Sequence, residues 1–478
     1  MSDLSKKIVN GEAIENLAKG LNDKIQSDIK KIVPVSNDGK VPAGDPLFYI
    51  DNTEDLNFEF LVDELNDLKQ NKNPQTPMVF FESDEILALE NKEQLANATF
   101  EARINSKVLT GYATLKIQGS SSSVMPKKNY TVKFFKDKNM TEKYKMNVGW
   151  GENNKFCFKA NYIDSSHTRN LSGARVARDM IVSRPNSAFK ENLMKAPNFG
   201  HVDGFPIKVY INGDFHGIYT WNMPKDEKML AMDEDNPNHI CLCSDKNGGG
   251  QTEPTTCQFR VEWDYTGKLG NSAGSAHWMW KVEAGPDSQE TADKLNRVIR
   301  FVKDTDDATF MRDFDQYLDL YSLIDYYCFS HLCCHCDGLG KNILFTTYDG
   351  LQWGTVLYDM DTIYGGWVST SSENFWRPYD YACPQDYQEP NSLLWERLVK
   401  LYSKELKERY FELRKGALSL GNIITHVEEI YERVTDRMLE DEWAKWTEIP
   451  VKEENTMSRF RTYMSKRANY SDDYFKNL

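Results

Sequence analysis

Between residues 78 and 160 the apolar side chains recur at about every second position, which restricts this part of the chain to strands with one buried face. The segments MVFFES, ATFEARI, GYATLKIQG, NYTVKFF and KFCFKANY are rich in β-branched and aromatic residues, the side chains that suit a pleated, half-buried surface. Further on, Asn212-Gly213 separates PIKVYI from FHGIYTW, a favoured dipeptide for a two-residue hairpin. One helix interrupts the pattern: SSHTRNLSGARVARDMIVS opens on capping residues and continues with helical spacing. The first half is therefore expected to be a mostly antiparallel sheet with one inserted helix.

From Ser288 the period changes to that of helices, in ETADKLNRVIRFVKD and FDQYLDLYSLIDYYCFSHLCC. A short strand pair follows, NILFTTYDG and LQWGTVLYDMD, and residues 391–478 read mainly as helix. Residues 240–280, rich in Gly, Ser and Thr, read as a loop or insertion. A strand-rich first lobe and a helix-rich second lobe give an α+β, bilobal plan.

Ahead of this body, residues 11–33 carry Ile14, Ala18, Leu21, Ile25 and Ile32 on one stripe, a helix that packs on its own chain or pairs in a short coiled coil. A linker at Pro34–Pro46 and a short helix at 60–73, stopped by Pro74, follow. The expected divisions are 1–45 for oligomerisation or attachment, 46–77 as connector, 78–390 as the main domain and 391–478 as the helical end of its second lobe.

Aromatic residues make up 12% of the 478 positions, the composition of a folded chain. With 58 basic and 72 acidic side chains the net charge is 58 − 72 = −14, which disfavours nucleic acid and anionic membrane as partners. The first residues lack the apolar run of a secretory signal, and no stretch has the length and apolarity of a membrane span. A soluble protein made in a cytoplasm is expected. Cys328, Cys333, Cys334 and Cys336 are then read as buried thiols rather than disulfides. A zinc site built from these with His331 and His335 lacks a second ligand pair, and Cys241, Cys243 and His239 read as structural. Asp226 and Glu227 read as solvated charges.

The strongest chemical signal is HCDGLGKN, His335 to Asn342, followed by YDMD, Tyr358 to Asp361. Asp337 and Asn342 lie between a long helix and a strand pair, and Asp359 ends the second strand. Phosphoryl transfer needs one carboxylate to orient an attacking hydroxyl, and an amide oxygen with a second carboxylate to hold Mg²⁺ against phosphates. The bland alternative is an Asx-rich turn that caps the hairpin. A second signal is LKIQGSSSSVMPKKNYTVKFF, Leu115 to Phe135, where Gly119, Ser120 and Ser121 allow backbone N–H groups close to a phosphate and Lys128 and Lys133 add charge. A flexible serine loop is the competing reading.

These blocks, with FCFKANYIDSSHTRNLSGARVA and VYINGDFHGIYTW between them, resemble in order the CotH family of spore-coat-type atypical protein kinases over about residues 78–370. The resemblance implies a protein-kinase-like fold that transfers phosphate from ATP to Ser or Thr hydroxyls with Mg²⁺. It makes Asp337 the catalytic carboxylate and Asn342 and Asp359 metal ligands, with Asp361 as a further carboxylate. For the phosphate-pairing lysine it offers Lys133 first, with Lys128 and Lys159 behind it. Tyr358 stands where the family has Trp, and Trp221-Asn222 where it often has Glu, so a pseudokinase that keeps the fold without turnover stays open. Residues 10–29 also resemble the leading helices of phage tail and fibre proteins. That likeness implies a homo-oligomer, a trimer among the options, carried on a virion tail or baseplate with neighbouring virion proteins as partners. A bacterial cytoplasmic or spore-coat protein is the alternative.

Overall fold

The alternating segments of the first half close on themselves. Strands β1 (Met78–Glu82), β2 (Ala96–Ile104), β3 (Lys107–Gln118) and β4 (Asn129–Phe135) run in antiparallel succession. After a small ladder of β5 (Met146–Asn147) and β6 (Glu152–Asn153), the order continues through β7 (Lys155–Lys159) to the hairpin β8 (Gly204–Ile211) and β9 (Asp214–Asn222). β8 then pairs in parallel with β1, so the sheet is a closed barrel in the order β1-β2-β3-β4-β7-β9-β8. Closure leaves no unpaired edge. The sheet is mostly antiparallel, as expected; its closure adds one parallel pairing between strands more than a hundred residues apart.

The structure is a computed structural model that describes residues 76–104, 107–119, 121–244, 280–335, 338–339, 342–366, 378–380, 393–449 and 455–478. All of them belong to one unit, Asn73–Leu478. The helices expected at 11–33 and 60–73, and the linker between them, lie outside the described residues.

Period-2 alternation sends Val79, Phe81, Phe100, Leu115, Val132, Phe134, Phe156, Phe158, Ile207, Val209 and Trp221 into the barrel, all buried. Trp221 sits among Phe134, Phe156 and Phe158 with ring centroids 5.4, 5.2 and 4.9 Å away. Emptying such a position costs roughly 3–5 kcal/mol. The β8–β9 hairpin turns at Asn212 (φ 52°) and Gly213 (φ 81°), the paired positive φ of the turn that its Asn-Gly sequence announces.

The second core is built on helices. α1 (Arg169–Ser183) and α2 (Ala188–Leu193) precede the hairpin, and α3 (Gln289–Asp304), α4 (Asp307–Asp313) and α5 (Leu320–Leu332) follow it. A four-stranded sheet in the order β11-β10-β12-β13 comprises β10 (Ile240–Ser244), β11 (Trp280–Ala284), β12 (Leu344–Thr347) and β13 (Gly354–Val356). Residues 240–244 and 280–284 thus form strands at the two ends of the stretch expected to be a loop; residues 245–279 lie outside the described residues. α5 is buried at every position from Ser322 to Leu332, the signature of a helix enclosed on all sides. Cys328, Cys333, Cys334, Cys241 and Cys243 are buried; Cys336 lies outside the described residues.

The C-terminal helices are α6 (Leu393–Leu401), α7 (Ser403–Leu413), α8 (Leu420–Tyr431), α9 (Asp436–Lys445) and α10 (Met457–Lys476). Most begin on a side chain that accepts from the N–H three residues on, as at Ser419, Thr435 and Thr456. α9 does not stay with the helical core. Its Met438 and Leu439, with Val434, cover Ile218 on the outside of β9.

Candidate functional site

Because successive strand residues face opposite sides, the residues flanking Phe156 and Phe158 point out of the barrel. Lys155, Cys157 and Lys159 therefore share the outer face of β7 with Thr220 and Asn222 of β9, in the register Cys157↔Asn222 and Lys159↔Thr220. That face is covered: Cys157, Thr220 and Asn222 are all buried. Neither polar atom of the Asn222 side chain finds a hydrogen-bond partner among the described residues. A buried amide left in this way calls for a further polar group beside it.

Tyr358-Asp359-Met360-Asp361 follows β13. Met360 is fully buried while Asp359 and Asp361 are partly exposed, so the chain packs its central side chain inward and presents the two flanking carboxylates outward. Asp359 holds φ at 54°, a left-handed conformation that Asp tolerates better than most residues. The turn is fixed from α1. Asn170 Oδ1 accepts from the Met360 N–H at 3.1 Å, and Arg169 Nε donates to the Ile363 carbonyl at 3.0 Å. Any Cβ at Gly173 would lie 2.6 Å from Ile363 Cδ1 and 3.1 Å from Met360 Sδ, so Gly173 lets the helix press against the loop. Tyr364 N–H donates to the Cys333 carbonyl at 2.6 Å, tying the same loop to the end of α5.

The lysine that feels these carboxylates is Lys159. Burial pulls its pKa down, but Tyr358, Asp359, Cys157 and Asp361 together outweigh that and raise it above the ordinary lysine value. Burial likewise pushes Tyr358 up to about 12, against the pull of Lys159 and Lys225. Tyr358 is then neutral near pH 7, and the charges acting on Lys159 are those of the two aspartates. A second lysine joins them: Lys225 Nζ lies 4.3 Å from the centre of the Tyr358 ring and 2.9 Å from a Glu283 oxygen.

Lys133 is exposed, in register between Thr114 and Lys155, one step further along the outer face. Lys128 donates to the Ser123 carbonyl at 2.9 Å. Gly119 has φ 109°, and a Cβ there would fall 1.9 Å from Ser122 Oγ, so only glycine fits that turn. Ser121 opens a short 3-10 turn, Ser121–Val124; Ser120 lies outside the described residues. Asn342 is buried, with φ 62°. The pairing Leu344↔Val356 brings residue 342 and residues 358–359 out at the same end of the β12–β13 hairpin. Asp337 lies outside the described residues. Among the described residues no three His, Cys, Asp or Glu side chains gather around a single point. Asp359, Asp361 and Asn342 nevertheless offer the all-oxygen donors that Mg²⁺ takes.

Two sequence expectations change. Asp226 is not a solvated charge: it is mostly buried and pairs with Lys155 at 3.0 Å. The first turn of α1 is capped not by Thr168 but by Asp164, whose Oδ2 accepts from the Arg169 N–H at 2.8 Å and whose Oδ1 meets the Arg169 guanidinium at 2.5 Å. The sequence pointed to Lys225 and Glu283 by no motif; their meeting depends on β11 lying beside β10.

No curated protein matches the chain closely enough to count as a relative. The family model described as CotH kinase protein matches residues 115–471, about three quarters of the sequence, and so takes in Gly119, Lys159, Asn342, Asp359 and Asp361. β1, β2 and the start of β3 fall before it, although β1 is needed to close the barrel. The match takes in the aspartates of the Tyr358–Asp361 turn, Asn170 of the helix after β7 that fixes that turn, and Lys159: the chain belongs to the CotH family.

Proposed function

We propose that this protein is a CotH-type protein kinase that moves the terminal phosphoryl group of ATP onto Ser or Thr hydroxyls of a protein. The observation that supports the reading is the placing of Asn342 and the Tyr358–Asp361 turn at one end of the β12–β13 hairpin, with the charge of Asp359 and Asp361 felt at Lys159 on the outer face of β7, within the matched region. In this proposal the substrate hydroxyl gives its proton to Asp337 as its oxygen bonds to phosphorus, and the bond to the departing ADP oxygen breaks. Asn342, Asp359 and Asp361 would hold Mg²⁺, which when bound neutralises phosphate charge. Lys159 pairs with phosphate oxygens, ahead of Lys133 and Lys128; Gly119, Ser120 and Ser121 carry the loop that lies against them. A bilobal, kinase-like layout belongs to the same proposal, supported by separate barrel and helical cores.

The test is incorporation of labelled phosphate from ATP with Mg²⁺ by the purified protein. Wild type should label itself or a protein acceptor, and Asp337→Ala or Asp359→Asn should lower the rate by about a hundredfold or more, the scale of losing a group that acts on the transferring phosphoryl. Equal rates in wild type and both variants would remove these residues from the mechanism. A wild type that binds ATP without turnover would assign the chain to the silent-scaffold reading instead, which Tyr358 and Trp221-Asn222 favour as departures from the family pattern. Attachment to a virion and assembly through residues 11–33 rest on sequence outside the described residues, whereas the spore-coat alternative rests on the family match.

A further inference from the structure

α9 leaves the helical core to deliver one carboxylate to the barrel. Glu442 Oε1 pairs with Lys127 Nζ at 2.5 Å, and neither side chain has any exposure. Glu442 Oε2 accepts from the Ile218 N–H at 2.5 Å. Lys127 Nζ also donates to the Ala160 carbonyl at 2.8 Å and to the Ile218 carbonyl, and lies 4.4 Å from the centre of the Tyr219 ring. Room for both comes from Gly217 (φ 138°), where a Cβ would sit 2.9 Å from Lys127 Cε and 3.4 Å from Glu442 Oε1.

What this pair grips is the residue after Lys159. The Ala160 carbonyl is held by Lys127, and the Ala160 N–H donates to Asn129 Oδ1 at 2.7 Å. Asn129 in turn donates to Ser122 Oγ at 2.9 Å. Lys127 and Asn129 thus clamp the end of β7 from both sides and tie it to the turn after Gly119. A buried ammonium without its carboxylate would be strongly unfavourable, so the clamp depends on a residue 315 positions further along the chain.

We propose that Glu442 is a positioning residue: through Lys127 it sets where β7 ends and hence where Lys159 stands on the outer face of the barrel. The inference rests on Lys159 belonging to the proposed kinase site, but its test does not need turnover. The full chain, without nucleotide, is treated with limiting acetic anhydride, and the acylation rate of Lys159 is measured by mass spectrometry relative to exposed Lys133. The double variant Lys127→Met/Glu442→Leu removes both charges and leaves neither buried alone. It should keep a cooperative thermal transition while the Lys159:Lys133 ratio changes threefold or more, because the end of β7 no longer holds the amine in one place on the outer face. Glu442→Gln, which keeps an oxygen for the Ile218 N–H, should move the ratio the same way. A folded variant with an unchanged ratio overturns the proposal. Loss of folding in both variants also overturns it, in favour of a purely structural ion pair. Failure of wild type to turn over ATP would sink the kinase reading and leave the labelling result standing.

Discussion

Lys133 and Lys159 are two strand lysines that differ by what the outer face of the barrel covers. Lys133 is exposed, whereas Lys159 is partly buried and its ammonium is favoured by the charges of Asp359 and Asp361. Lys159→Ala is expected to lower kcat/KM for ATP by about 10²-fold or more, the loss of a charge-assisted contact in a partly water-free site. Lys133→Ala should stay within about twofold, as surface substitutions do. Steady-state kinetics of the two variants side by side decides between them; a large loss at Lys133 alone would reverse the assignment. Gly119→Ala should raise KM for ATP, since φ 109° and the 1.9 Å approach to Ser122 Oγ force the turn to move. The motif lysines were legible in the sequence. Which of them meets the aspartates was not, because that depends on which strand lies under the Tyr358–Asp361 turn.

At the scale of elements, α1 is the part that sets the site, since Asn170 and Arg169 at its start bind the loop of Asp359. Its far end is held by α8. Burial raises the Asp179 pKa, but hydrogen bonds from His426, Arg178 and Asn422 outweigh that and bring it to about 2. The His426 contact is 2.6 Å long. A carboxyl depressed in the folded state stabilises it fully above the unfolded pKa near 3.9, and that stability disappears as pH falls through about 2. Asp179→Asn should therefore cost about 1–2 kcal/mol near pH 6, with allowance for partial exposure. Denaturant titrations should show the difference from wild type shrinking between about pH 4 and pH 2. A constant difference across that range would place the effect elsewhere. Most helices could be read from the sequence, because the spacing of apolar side chains that marks them is local. Asp164 was missed as the cap of α1 because its reach depends on the fold of the intervening turn.

Over the described molecule, four buried histidines are placed against their own charge. Burial lowers His167, His201 and His216 to about 3 each and holds His331 well below its ordinary value, with nearby cationic side chains adding to the effect. In the unfolded chain these groups bind protons near pH 6.5. Between about pH 6.5 and 3 the unfolded state holds more protons, so stability is complete above 6.5 and declines as the pH falls. At pH 5 the loss is on the order of 2 kcal/mol for each buried histidine. Thermal unfolding followed from pH 7.5 to 5 should show a steep fall in Tm, and His201→Gln should reduce its slope. A flat profile would mean that these rings are protonated when folded.

Period-2 and helical periodicity, the Asn212-Gly213 turn and the positions of Asn342 and Asp359 were determined by the sequence itself, because each is a local consequence of side-chain shape and spacing. The order of the CotH blocks identified the family by the same local means. Closure of the barrel through the parallel β1–β8 pair, the return of α9 to β9, and the partners of Lys127, Lys159 and Lys225 were decided only by the tertiary structure. Each joins residues far apart in the chain, and no local preference can specify which distant carboxylate a buried amine will meet.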